Sequence, residues 1–149
     1  MRKAAATSGN SFLQIAMQAD QPFGSLPASF RHEQTQLLAA GITTWKALMA
    51  LEETQLSRVI KGQATARNLK RLRGMAALVC ELDLAAADAA LLLHAGLGTV
   101  GALAASDPQT IVRQTGRLER QLNSGRPPVV DLATAHRWIE LARNRQLKN

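Results

Sequence analysis

Between Arg58 and Arg73 the chain carries Arg58, Lys61, Arg67, Lys70, Arg71 and Arg73 without one acidic residue. Cations at this density suit a phosphate backbone, because each Lys or Arg that neutralises a phosphate releases a condensed counterion and needs no particular base. Arg113, Arg117 and Arg120 form a second set, spaced i, i+4 and i+7 so that they share one helix face, with Glu119 nearby and Arg126 beyond. Long cationic side chains also cover ordinary solvated helices. The charge of the whole chain leans toward a partner: eighteen Lys and Arg against eleven Asp and Glu give +7 and a pI near 10.8, which suits a polyanion.

Residues for other chemistries are missing or scattered. His32, His94 and His136 are too far apart for a metal motif, and neither H-x-x-x-H nor a Cys-His pair occurs. Cys80 is the single cysteine, so an internal disulfide and a multi-cysteine zinc site are excluded and a reducing compartment is expected. Within the apolar run MAALVC it reads as a core thiol. No nucleophile stands with a base, and Asp107 is better explained as a helix cap than as an acid. The expectation is a chain without catalysis, cofactor or metal. Trp45 and Trp138 read as core, and with no tyrosine and three phenylalanines, stacking on single-stranded bases has little to use.

Helices must position these residues. An apolar content of 46% with only 3% aromatics, rich in Ala and Leu, favours helix over sheet. Leu37 to Leu48, LLAAGITTWKAL, returns as Leu92 to Leu103, LLHAGLGTVGAL. Leu37, Leu38, Ala40, Gly41, Thr44, Ala47 and Leu48 match Leu92, Leu93, Ala95, Gly96, Thr99, Ala102 and Leu103 at one offset of 55 residues. Each copy reads as a helix end, a left-handed glycine stop, a threonine cap and a second short helix. In the first copy, helices are expected over about Arg31 to Ala40, around Trp45, and from Glu52 to the stop at Gly62. A longer one, Ala66 to Cys80, is capped by Thr65, with Leu69, Leu72, Ala76 and Val79 on one face and Arg67, Lys70 and Arg71 opposite.

In the second copy an Ala-rich helix runs to His94 and stops at Gly96, and Thr99 restarts it. Ser106 or Asp107 then caps a helix with Pro108 at its first position. A loop covers Asn123 to Pro128, and a last helix capped by Asp131 has Leu132, Ala135, Trp138, Ile139 and Ala142 as its apolar stripe. Phe12, Leu13, Ile15, Ala16 and Ala19 offer a short N-terminal helix after ten small and polar residues. No span approaches the roughly 18 apolar residues that cross a bilayer, and the basic start lacks a signal-peptide core, so a cytoplasmic chain is expected.

A helix, a tight hairpin, a second helix ending in Leu-Leu-x-Ala-Gly-Ile and a Thr cap together resemble the helix-hairpin-helix superfamily. The tandem arrangement with a closing Trp-Ile-Glu-x-Ala helix most resembles the bacterial domain-of-unknown-function family numbered 4332, over about Leu26 to Arg143. The resemblance implies an all-α fold of two tandem helix-hairpin-helix-like repeats, a C-terminal helix and a short N-terminal helix. In DNA-binding members of the superfamily a hairpin Gly-x-Gly approaches a phosphate. Those glycines map here onto Ala28 and Phe30, and onto Asp83 and Ala85, which implies packed hairpins rather than phosphate sites.

The organisation expected is a flexible segment 1–25, a first repeat with its basic helix over 26–80, and a second repeat with the C-terminal helix over 81–149, the last two in one compact domain. The function expected is non-catalytic, backbone-directed binding of DNA or RNA through Arg58, Lys61, Arg67, Lys70, Arg71, Arg73, Arg113, Arg117 and Arg120. The alternative is a protein-interaction or assembly adaptor, with an acidic protein as partner. Peripheral binding to an anionic membrane through the same cations is a weaker third option.

Overall fold

A computed structural model of the chain describes residues 18–121 and 130–148. The expected stripe from Phe12 to Ala16 and the loop from Asn123 to Pro128 lie outside the described residues. Within them a 3-10 turn at Ala28–Phe30 leads into α1 (Arg31–Ala39), α2 (Trp45–Met49), α3 (Glu53–Val59), α4 (Ala66–Leu82), α5 (Ala86–His94), α6 (Val100–Ala104), α7 (Pro108–Gln121) and α8 (Leu132–Leu147). The described residues contain no strand, only an isolated antiparallel bridge between Pro22 and Thr44, so the fold is all-α. No helix among them is long and apolar enough to cross a membrane. The chain divides into two compact units, Met1–Asp83 and Leu84–Asn149. The division falls where Asp83 ends α4 in a left-handed conformation, φ 55°, one that a short polar side chain tolerates better than most.

The duplicated segments fold alike because the same residue types answer the same backbone demands. Gly41 and Gly96 sit at φ 80° and 84°, where a Cβ would be strained. Behind them the Ile42 N–H reaches Leu37 O at 2.9 Å and the Leu97 N–H reaches Leu92 O at 2.8 Å, closing the last turns of α1 and α5 in the same way. Thr44 and Thr99 then accept from the amides of Ala47 and Ala102 at 3.1 and 2.9 Å, starting α2 and α6. Leu37 with Leu48, and Leu92 with Leu103, are fully buried beneath the two turns.

In the first unit α4 lies along α2, with Leu69, Leu72, Met75, Ala76, Leu78, Val79 and Leu82 inward. Full burial of side chains of this size contributes about 1.5–3 kcal/mol each before entropy is counted. Phe23 meets Trp45 edge-on at 6.0 Å, held by a backbone pair in which the Phe23 N–H donates to Thr43 O and the Trp45 N–H to Gln21 O. Glu33 is 1% exposed, and its Oε2 accepts from the Thr65 N–H at 2.9 Å and from Asn68 Nδ2 at 3.3 Å, tying α1 to the start of α4.

In the second unit α8 packs on α6 and α7 through Ala135, Trp138, Ile139 and Ala142, with Ile111 and Thr115 facing the same interior. The Thr115 hydroxyl donates back to Ile111 O at 2.7 Å, which satisfies it in an apolar setting. Leu132 departs from the expected stripe: it opens α8 and is 53% exposed, beside a hollow formed with Pro108, Gln109, Ala133 and His136, so the buried stripe begins one turn later. Both units end on the same device. Arg73 Nη1 donates to Leu51 O at 2.6 Å, and Arg143 donates to Ala104 O at 3.0 Å and Ser106 O at 3.4 Å. Leu51 and Ser106 are equivalent positions just past the short helix, so in each unit an arginine of the closing helix ties down the exit of α2 or α6.

Candidate nucleic-acid interface

The first cationic set belongs to the first unit and divides into two groups. Arg58 stands in the last turn of α3, where a cation complements the helix dipole, and Lys61 follows it. Both are exposed, as are Arg67 and Lys70 on the outer face of α4. Arg71 and Arg73 are only half exposed. The Arg71 guanidinium lies 5.2 Å from the ring centroid of Phe30, a fully buried side chain, so it covers the core as well as facing water. Arg73 is held by Leu51 O, and its Nη2 also lies 3.6 Å from Glu53. The sequence run free of acids therefore acquires one in the fold, since Glu53 also comes within 4.0 Å of Lys70 Nζ. A pair this exposed is worth little in stability. The commitment of Arg73 had a signal in the sequence: it lies four residues after Leu69 and three before Ala76, both fully buried, and so shares their face.

The second set belongs to the second unit. Arg113, Arg117 and Arg120 are all exposed along α7. Arg113 Nη2 reaches Thr110 Oγ1 at 3.4 Å, and Arg120 folds back over Gly116. The helix is started by Asp107, which caps the Thr110 N–H at 2.9 Å, with Pro108 in the first position as expected. Backbone and side-chain hydrogen bonds from Thr110 hold the Asp107 carboxyl below its ordinary range. Side-chain and backbone bonds from Thr134 do the same for Asp131 at the start of α8.

Glycine turns join α1 to α2 at Gly41 and α5 to α6 at Gly96. Ala28 to Phe30 is the 3-10 turn ahead of α1, and Asp83 to Ala85 is the link from α4 to α5. A glycine pair does occur, at Gly96 and Gly98, and it has a packing reason. A Cβ on Gly98 would lie 2.7 Å from Leu93 Cδ1 and 2.9 Å from Leu93 Cα, so the turn closes against α5 only without a side chain. Beside this turn His94, Ala95 and Gly96 face Gln114, Arg117 and Leu118 of α7 across an open cleft of about 370 Å³.

Trp45 and Trp138 are buried, as core residues should be. Cys80 is only half-buried, but burial, then Glu81 and Asp20, push its thiol up to about 11, which leaves little thiolate at neutral pH. Among the described residues no three His, Cys, Asp or Glu side chains gather in a way that could hold a metal ion. No curated protein and no solved structure matches the chain. The model of a family described as Domain of unknown function (DUF4332) matches residues 27–145, which take in the run from the 3-10 turn into the last turn of α8. On that match the chain belongs to the DUF4332 family.

Proposed function

We propose that this protein binds the phosphate backbone of a nucleic acid without catalysis and without reading sequence, using Arg58, Lys61, Arg67 and Lys70 of the first unit and Arg113, Arg117 and Arg120 of the second. The observation that carries this reading is the exposure of all seven cations on a chain of net charge +7. Such contacts position a duplex rather than recognise its bases. Arg71 and Arg73 support the surface from below. The test is charge reversal at Arg67→Glu and Lys70→Glu, which touches no buried group. Duplex DNA affinity should fall at least tenfold with helicity unchanged. Unaltered affinity would remove the α4 face from the interface.

A second reading, an adaptor for an acidic protein, draws support from exposed apolar side chains: Leu132 at 53%, Leu147 at 84% and Leu38 at 47%. Recovery of a nuclease-resistant protein complex from native lysate, with no affinity for duplex DNA or RNA, would favour it.

A further inference from the structure

The cleft at the Gly96 turn differs from the equivalent place in the first unit in the residues that matter for ligand chemistry. At the constant offset of 55 residues, His94, Gln114 and Arg117 correspond to Ala39, Val59 and Gly62, while Ala95 and Gly96 correspond to Ala40 and Gly41. The turn has been kept and three polar side chains stand around it. The wall carrying Arg117 is itself an addition. α3 ends at Val59, whereas α7, which begins at the equivalent position, runs on to Gln121 and so projects Arg117 and Leu118 past the duplicated length. Packing of the duplicated turn does not require these groups, since the first unit closes the same turn without them.

Their chemistry is that of a phosphate-ester pocket. Arg117 is exposed on the same face as Arg113 and Arg120, and Glu119, two residues along a helix from it, points to the other side. His94 Nδ1 lies 2.8 Å from Ala90 O; a carbonyl only accepts, so that nitrogen carries a proton and the contact fixes the ring at the rim of the cleft. Gln114 adds amide donors, and among the described residues no acid lines the cleft. Over Gly96 a Cβ would meet nothing within 4 Å, so the backbone of the turn is open to a ligand. A volume of about 370 Å³ exceeds what a phosphate alone fills and lies at the low end of small-ligand pockets. Leu118 and Ala95 supply an apolar wall for the remainder.

We propose that this cleft seats one nucleotide unit, its phosphate on Arg117 with Gln114 as a further donor, and its sugar against His94, Leu118 and Ala95. The inference deepens the backbone-binding reading and rests on it for the source of the nucleotide, a bound strand rather than a free mononucleotide. The test uses the full chain in two arms. In the first, amide NMR spectra are followed during titration with thymidine 5′-monophosphate. Saturable shifts at Ala95 and Gly96, weakened at least tenfold in Arg117→Gln and severalfold in Gln114→Ala, are expected. Absence of shifts at the cleft, or shifts unchanged in both variants, overturns the proposal. In the second arm, single-stranded and duplex DNA affinities are compared for the wild type and for His94→Ala/Gln114→Ala, which alters the cleft and leaves every cation of the helix faces in place. A drop of at least fivefold supports strand binding through the cleft. Full retention of DNA affinity overturns the cleft while leaving the helix-face reading intact. Cleft shifts with the mononucleotide in a chain that binds no DNA or RNA would overturn the strand as source and make the pocket one for free nucleotides. Circular dichroism of each variant establishes that the fold is retained.

Discussion

Replacing Gly98 with alanine should destabilise the second unit, and the size of the loss follows from what the added methyl would meet. Its nearest neighbours are Leu93 Cδ1 at 2.7 Å, Leu93 Cα at 2.9 Å and Leu93 Cβ at 3.3 Å. The first belongs to a side chain that can rotate, but the second is helix backbone and cannot give way without moving the end of α5. Overpacking of this kind costs about 1–3 kcal/mol. Against it, alanine restricts the unfolded chain and returns about 0.4–1 kcal/mol. The net loss should be about 1–2 kcal/mol, a fall in melting temperature of roughly 2–8 °C if the whole chain unfolds together and roughly 4–16 °C if the second unit unfolds alone. Gly101 is the control. It lies in α6, is exposed, and a Cβ there meets only Gln146 Nε2 at 3.6 Å, an ordinary contact. Gly101→Ala should therefore stabilise by about 0.5–1 kcal/mol through helix propensity. Urea unfolding followed by circular dichroism measures both. If Gly98→Ala proves as stable as the wild type or more so, the close approach of the turn to α5 is wrong.

Three other outcomes follow from buried and capping groups. Glu33→Ala should cost about 2–3 kcal/mol in urea unfolding, since it strands the Thr65 amide and the Asn68 side chain in the interior, whereas Glu33→Gln, which keeps an acceptor for Thr65, should stay within about 1 kcal/mol. The depressed carboxyls of Asp107 and Asp131 contribute stability that is full above about pH 4 and is lost as pH falls through their lowered folded values, so acid unfolding should be shallower in Asp131→Ala than in the wild type, with Asp131→Asn, which still caps, retaining more neutral-pH stability than the alanine variant. Cys80, pushed up to about 11, should react with a thiol-specific disulfide reagent at pH 8 roughly two orders of magnitude more slowly in the native chain than in denaturant, where its value returns to about 8.5; equal rates would contradict its placement.

The elements legible in the sequence were those whose ends are chemically marked. Gly41, Gly96, Thr44, Thr99, Thr65, Asp131 and Pro108 each perform a local backbone task that only a few residue types perform well, so the helix boundaries they set are close to those observed. Long-range partnerships carried no such mark. Glu33 reads as one more polar residue of α1, and only the approach of α4 turns it into a buried brace. Arg73 reads as one more cation of a basic run, although its phase relative to Leu69 and Ala76 places it inward. The cleft depends on α7 outrunning α3, a difference in length that becomes a wall only when α7 lies against the Gly96 turn.

Exposed cations that bind a phosphate backbone release counterions as they do so, and their affinity must then weaken with salt in proportion to the phosphates neutralised. If Arg58, Lys61, Arg67 and Lys70 each neutralise one phosphate, log affinity for duplex DNA should fall linearly with log salt concentration at a slope near −3.6, steepening toward −6 if Arg113, Arg117 and Arg120 engage the same duplex, and shuffling the sequence should change nothing. A wild-type chain with no measurable affinity for duplex DNA or RNA at low ionic strength, or with affinity indifferent to salt, would contradict backbone binding by these cations.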